Sequence, residues 1–408
     1  MSRISRRQFL HGTAFAAAGV ALAGSSAFDS ITVGLAPQKI LIIGAGMAGL
    51  VAGYELGQLG HDVTILEART RPGGRVQTLR EPFSEGLYAE AGAARIPDNH
   101  DLTLKYVKLF EVPLEPMYPS QLSALRIDGG DKREISIDGF TEGLAQFFGS
   151  EFRGPNRFTK IKGGNDNLPK AFARRLGDKI HYGSPAVKIE QDASSARVTF
   201  LHNGTRQAMT ADRVLCAVPF SVLRNVELPN SFSERKLSII RNLQYAQVSR
   251  VYLQAKKRSW EEKGLNGFAV TGDAVEIWQP TWNQPGPRGI LMTYNRPGQA
   301  ERIAAMKEDE RISSTLAQLG QWFPGLTENF ERGTTKCWNE DEWARGAWSF
   351  VGPRDYVAAS SPAGRIHFAG EHLSPWSSWM QGALDSGLRA VKEMNEASAV
   401  ARMSNLLW

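Results

Sequence analysis

Three glycines at fixed spacing, in Gly44-Ala45-Gly46-Met47-Ala48-Gly49, separate an apolar run from a helix-forming pattern in this 408-residue chain. Lacking a Cβ, Gly44 permits a tight turn and Gly46 lets backbone amides approach a diphosphate, while Gly49 lets helix and strand pack closely. Met47 and Ala48 open the helix against the same ligand. Glu67 stands 18 residues beyond the third glycine, at the tip of a second apolar run, where a carboxylate can accept hydrogen bonds from ribose hydroxyls. These residue types at this spacing point to a bound dinucleotide. Further on, Gly73-Gly74 brings a second stretch of backbone to the ligand, and Arg75 sets a cation near the diphosphate.

The elements that must position these groups follow from hydrophobic period. Lys39-Ile40-Leu41-Ile42-Ile43 reads as a fully buried parallel strand, Leu50 through Leu59 as a helix stopped by Gly60, and His61 through Leu66 as a second strand. That is a complete β-α-β unit. Strand patterns recur at 187–190, 196–201, 211–219, 249–255, 289–294 and 365–370, with the longest helical pattern at 300–323 and a closing helix at 380–395. Nucleotide-type strands at both ends of the chain predict an interrupted nucleotide domain.

The segment Glu67-Ala68-Arg69-Thr70-Arg71-Pro72-Gly73-Gly74-Arg75 resembles the flavin-containing amine oxidases, the family of monoamine oxidase and L-amino acid oxidase. Two further blocks, Phe368-Ala369-Gly370-Glu371-His372 and Trp379-Met380-Gln381-Gly382-Ala383, resemble the same family, as does Gly163-Gly164-Asn165-Asp166-Asn167-Leu168. The likeness runs from about Lys39 to Asn395. It implies an α/β fold with an interrupted Rossmann-like FAD domain (38–98, 160–224 and 361–398) and a mixed-sheet, α+β substrate domain (99–159 and 225–360). It also implies cofactor contacts from Ala68, Arg69, Gly92, Ala93, Ala94, Arg95, Val187, Gly370, Glu371, Ser378 and residues 379–383. Ala347 stands where monoamine oxidases carry a flavin-linking cysteine, so the resemblance implies noncovalent FAD.

The same likeness assigns substrate residues. Glu90-Ala91-Gly92-Ala93-Ala94-Arg95 resembles the segment in which L-amino acid oxidases set an arginine on the substrate carboxylate, and Tyr294 the tyrosine that helps hold it. Trp348 and Trp379 resemble the aromatic walls that exclude water and align a neutral amine. Two departures stand out. Ten residues before Trp260, where most of the family has a lysine that aids reaction with oxygen, this chain has Arg250, whose charge is fixed. Between Met117 and Gly163 only about 45 residues replace a longer helical insert that usually roofs the site.

Composition fits a globular protein: 42% hydrophobic, 22% charged, with a net charge of +6 of which Arg3, Arg6 and Arg7 supply half. The remainder is too mild to argue for nucleic acid. Ser5-Arg6-Arg7-Gln8-Phe9-Leu10 before an Ala/Gly-rich stretch reads as a twin-arginine export signal with cleavage after Ala27, which predicts a periplasmic or secreted protein without a mature membrane segment. Cys216 and Cys337 allow one disulfide at most, and no histidine or cysteine spacing suggests a metal. Cys216, within an apolar strand, reads as a buried small hydrophobe.

The expected reaction is oxidative deamination of an L-amino acid by hydride transfer to flavin N5, giving a 2-oxo acid, ammonia and, with oxygen, hydrogen peroxide. Three other readings stay open. These are an oxidase or dehydrogenase of a non-carboxylate amine that passes electrons to a carrier protein, a decarboxylating amino acid monooxygenase, and a non-catalytic FAD-binding subunit. Family members are often dimers, so a homodimer is admitted.

Overall fold

In the computed structural model, which describes residues 37–406, the first apolar run forms strand Lys39–Ile43 at the centre of a five-stranded parallel sheet. It pairs with Asp62–Leu66 on one side and with Arg213–Cys216 on the other. Ile180–His181 and Ile366–Phe368 complete the edges. A strand from the start of the chain thus lies beside one from its middle, as an interrupted nucleotide layer requires.

Alternation along the strand explains the unbroken apolar run, because both faces are covered. Ile40 and Ile42 face the helices Met47–Gln58, Asn167–Leu176 and Met380–Leu406, packing with Leu50, Phe172 and Leu384. Leu41 and Ile43 face an antiparallel sheet of Ala186–Gln191, Ala196–His202 and Thr205–Ala211, meeting Ile189, Val198 and Phe200. Cys216 lies in this second core, and both cysteines are buried and free, so the admitted bridge is absent. Helix Asp101–Leu109, expected with the substrate part, packs on the first core through Tyr106 and Val107. Phe232 and Ile240, from segments also expected there, join the second.

The other large element is a seven-stranded mixed sheet. Its order is Phe330–Cys337, Ser249–Ala255, Gly289–Asn295, Glu276–Trp278, Leu265–Thr271, Ser123–Asp128 and Asp131–Ile135. Val251, Leu253 and Leu291 face one core with Leu319 and Phe323, whereas Tyr252, Met292 and Tyr294 face another with Trp278 and Trp338. The helical pattern expected over 300–323 splits into Gln299–Ala304 and Glu308–Gly320, with Lys307 extended between them. Glu308, Asp309 and Glu310 complement the dipole of a new helix N-terminus, which explains the break. Among the described residues the longest helix is instead Met380–Leu406. Among the described residues no helix is long and apolar enough to cross a membrane.

Candidate active site

One cavity, enclosing about 1670 Å³ of empty space that includes its open mouth, runs between the parallel sheet and the mixed sheet. Its nucleotide end is built by the glycine turn. A Cβ at Gly46 would point into open space, whereas at Gly44 it would press Val218 at 2.9 Å and at Gly49 it would lie 1.9 Å from the Gly44 carbonyl oxygen. Gly44 also holds φ +102°, which favours glycine. The helix that follows carries no acid in its first turn and no side-chain cap, so its N-terminal amides and dipole remain available to an anion.

Glu67 lines the cavity at the end of strand Asp62–Leu66. One of its oxygens accepts from the Ala45 amide at 2.7 Å and the other from the Arg69 amide at 2.8 Å, which fixes the carboxylate while leaving lone pairs for hydroxyl donors. Burial pushes its carboxyl above the ordinary range, against the lowering effect of these amides. Arg69 is tied to Asp341 at 2.5 Å. Arg75 donates to Glu371 at 2.8 Å and to the Ala347 carbonyl at 2.7 Å, and Glu371 accepts from the Ser378 amide at 2.8 Å. Three distant stretches of chain therefore meet around the cavity through one ion pair. These features fit a dinucleotide, with the diphosphate at Gly44–Gly46 and a ribose at Glu67.

The other end is aromatic and cationic. Tyr294 pairs across the sheet with Arg250 on one side and with Glu276 on the other, so three neighbouring strands present these residues in register. Arg250 is 4% exposed and donates to the Glu90 carbonyl at 2.5 Å, with its guanidinium 4.6 Å from the Tyr294 ring centroid. Arg95 lies over the Trp278 ring at 4.4 Å, donates to the Tyr118 hydroxyl at 2.7 Å and is ion-paired with Glu276. Glu276 is fully buried and also ion-paired with Arg296. Burial opposes its ionisation, but the two arginines outweigh this and hold its carboxyl below the ordinary range.

Trp348 and Trp379 both line the cavity. His100 packs edge-on against Trp379 at 4.8 Å, and burial lowers this histidine to about 4, so it is uncharged at neutral pH. Phe152, from the short segment between Met117 and Gly163, lines the cavity, with its ring 5.9 Å from that of Trp379 and 5.5 Å from the Arg95 guanidinium.

Of the residues singled out from sequence, Gly44, Gly46, Met47, Ala48, Glu67, Ala68, Arg69, Gly74 and Arg75 line the cavity. So do Gly92, Ala93, Ala94, Arg95, Arg250, Tyr294, Trp348, Gly370, Glu371, Ser378, Trp379, Met380 and Ala383. Four do not. Gly49 serves helix packing against the Gly44 carbonyl, and Val187 yields the lining position to its neighbour Ala186 on the alternating strand. Gln381 turns away to accept from the Thr103 amide at 3.0 Å, and a Cβ at Gly382 would lie 2.1 Å from the Trp376 carbonyl oxygen. The sequence reading missed Arg296, Trp278 and Phe152 on the lining and Glu276 behind it. Arg296 stands two residues beyond Tyr294, where strand alternation could have found it. Among the described residues no cluster of His, Cys, Asp and Glu could hold a metal.

The profile of the "Flavin containing amine oxidoreductase" family matches residues 47–134 and 140–395. The flavin-dependent L-tryptophan oxidase of Lentzea aerocolonigenes is 30% identical, over 87% of this chain and 97% of its own length. An L-amino-acid oxidase of Bothrops atrox is 24% identical, over 90% of each chain. The solved structure of cyclohexylamine oxidase from Brevibacterium oxydans IH-35A superposes with a TM-score of 0.76 at 18% identity, covering 89% of this chain and 99% of that one, and shares its fold. The dinucleotide-type end of the cavity thus fits FAD, the cofactor of these enzymes, and the chain belongs to the flavin-containing amine oxidoreductase family.

Proposed function

We propose that this enzyme deaminates an L-amino acid oxidatively. The amino acid, oxygen and water give a 2-oxo acid, ammonia and hydrogen peroxide. The observation that carries this reading is Arg95, a buried guanidinium on the cavity wall. Its counter-ion Glu276 is shared with Arg296, so the pair of arginines keeps a net positive charge for a substrate carboxylate. A guanidinium fork grips a carboxylate in fixed orientation, which aims the α-hydrogen of the substrate. Plain amines have no use for such a cation. The Lentzea relative is an L-tryptophan oxidase and the Bothrops relative an L-amino-acid oxidase, in agreement with this reading.

Bound FAD supplies the acceptor for two electrons, held noncovalently because Ala347 offers no nucleophile. Trp348 and Trp379 wall the amine from water, and Tyr294 supports the carboxylate beside Arg250. No side chain need act as a nucleophile.

One observation favours a second reading, oxidation of a non-carboxylate amine: Arg95 already has a carboxylate partner within the protein. Product stoichiometry separates the alternatives. Equal amounts of 2-oxo acid, ammonia and peroxide from an L-amino acid are expected. An amide and carbon dioxide would instead mark a decarboxylating monooxygenase, and an aldehyde from a simple amine an amine oxidase.

A further inference from the structure

The substrate end of the cavity is lined by three guanidinium groups, Arg95, Arg250 and Arg296, and by no acid. The acids on the cavity wall, Glu67 and Glu371, belong to the nucleotide end, where they meet the Ala45 and Arg69 amides and Arg75. Behind the arginines Glu276 supplies a single negative charge, tied to both Arg95 and Arg296. Glu90 lies near Arg250, but its carboxylate turns to the Thr78 hydroxyl at 3.0 Å and the Asn165 amide at 2.8 Å, and only its carbonyl meets the guanidinium. Three cations against the one carboxylate that contacts them leave two positive charges, which Glu90, partly protonated near neutral pH, offsets only in part. The cations form one cluster, since Arg95 and Arg250 both lie against the Trp278 ring, and Arg250 and Arg296 both against the Tyr294 ring. The Nε atoms of Arg250 and Arg296 are buried and lack a hydrogen-bond partner among the described residues.

Buried cations without counter-ions are costly, and a ligand that supplies the missing charge relieves that cost. The α-carboxylate of a neutral amino acid balances one of the two charges. A basic side chain or a diamine would add to the excess. We infer that the site takes an L-amino acid with an acidic side chain, whose two carboxylates together neutralise the arginine cluster. This inference rests on the L-amino acid reading above and narrows its substrate class.

The test compares isosteric acids and amides. The FAD-loaded enzyme is mixed without air with L-glutamate, L-glutamine, L-aspartate and L-asparagine, and flavin bleaching is followed. Each acid is expected to exceed its amide at least tenfold in reduction rate constant over Kd, the worth of a charge-assisted bond. Glutarate, which cannot be oxidised, is expected to perturb the flavin spectrum at concentrations at least tenfold below those needed for butyrate. Arg296→Met, which removes one of the two excess charges, is expected to weaken both ligands but the acid more, cutting the acid-over-amide preference at least threefold. Amides that match or outdo the acids, with glutarate and butyrate alike, would overturn the acidic class and leave the L-amino acid reading standing. Failure of every L-amino acid to bleach the flavin would overturn both.

Discussion

Replacing Arg95 by methionine removes one guanidinium from the substrate end and leaves Glu276 paired with Arg296 alone. A charge-assisted hydrogen bond is worth about 1.5–3 kcal/mol, so losing one should lower kcat/KM for an L-amino acid by roughly 10- to 150-fold. The lower half of that range is expected, because Arg250 and Arg296 line the same space and take over part of the attraction. The change also disturbs folding. Breaking a buried ion pair costs about 3–5 kcal/mol when the remaining charge is stranded, and Arg296 should hold the cost near the bottom of that range. The conservative variant Arg95→Lys separates the two effects, since its ammonium still balances Glu276 but lacks the guanidinium fork. Its melting temperature should recover towards wild type, while L-amino acid turnover stays low. The assay is anaerobic flavin reduction at varied substrate concentration, with thermal melting in parallel. Unchanged kcat/KM for L-amino acids in a folded Arg95→Met enzyme would refute the assignment and leave Arg95 a structural partner of Glu276 and Tyr118.

Glu67→Ala should weaken FAD binding by roughly 10- to 100-fold, as expected for loss of a charged acceptor, measured by titration of the apoenzyme. Unchanged affinity would remove Glu67 from the ribose. Glu90 is buried, and burial raises its carboxyl from an ordinary 4.5 to about 7. The folded state therefore holds this proton more tightly, and the stability it confers is full below pH 4.5 and lost as pH rises through 7. That amounts to about 3 kcal/mol, so Glu90→Gln should flatten the fall of melting temperature between pH 5 and 8, and an unaltered slope would refute the assignment. The twin-arginine motif lies outside the described residues, and we propose that it directs export. Arg6→Lys together with Arg7→Lys should leave the FAD-loaded protein inside the cell, and undiminished export of this variant would contradict the motif's role.

The nucleotide end was legible because its demands are local. A phosphate turn needs glycine within six residues, and the buried parallel strand before it betrays itself as Ile40 through Ile43. Glu371 was readable for the same reason, within its short block beside Gly370. The substrate end was legible only in part. Arg250 and Tyr294 were each picked out, but nothing in the sequence showed that they are cross-strand partners, or that Glu276 occupies the next strand in register. Arg95 and Glu276 are 181 residues apart and meet only through the mixed sheet. The strands concerned, Ser249–Ala255 and Gly289–Asn295, are buried on both faces, so burial alone cannot tell the cavity side from the core side. The split of the 300–323 helix was similarly hidden, since its apolar period continues through Lys307 while the acids at 308–310 restart the helix.

The central claim is that the site selects its amine by a carboxylate. The most direct measurement follows anaerobic flavin bleaching of the wild-type enzyme by L-amino acids, each set beside its decarboxylated amine. At least a hundredfold faster reduction by the amino acid, per unit concentration, is expected, as for two charge-assisted bonds near the lower limit of their strength. Equal or faster bleaching by the amines would contradict it and move the arginine cluster out of substrate recognition.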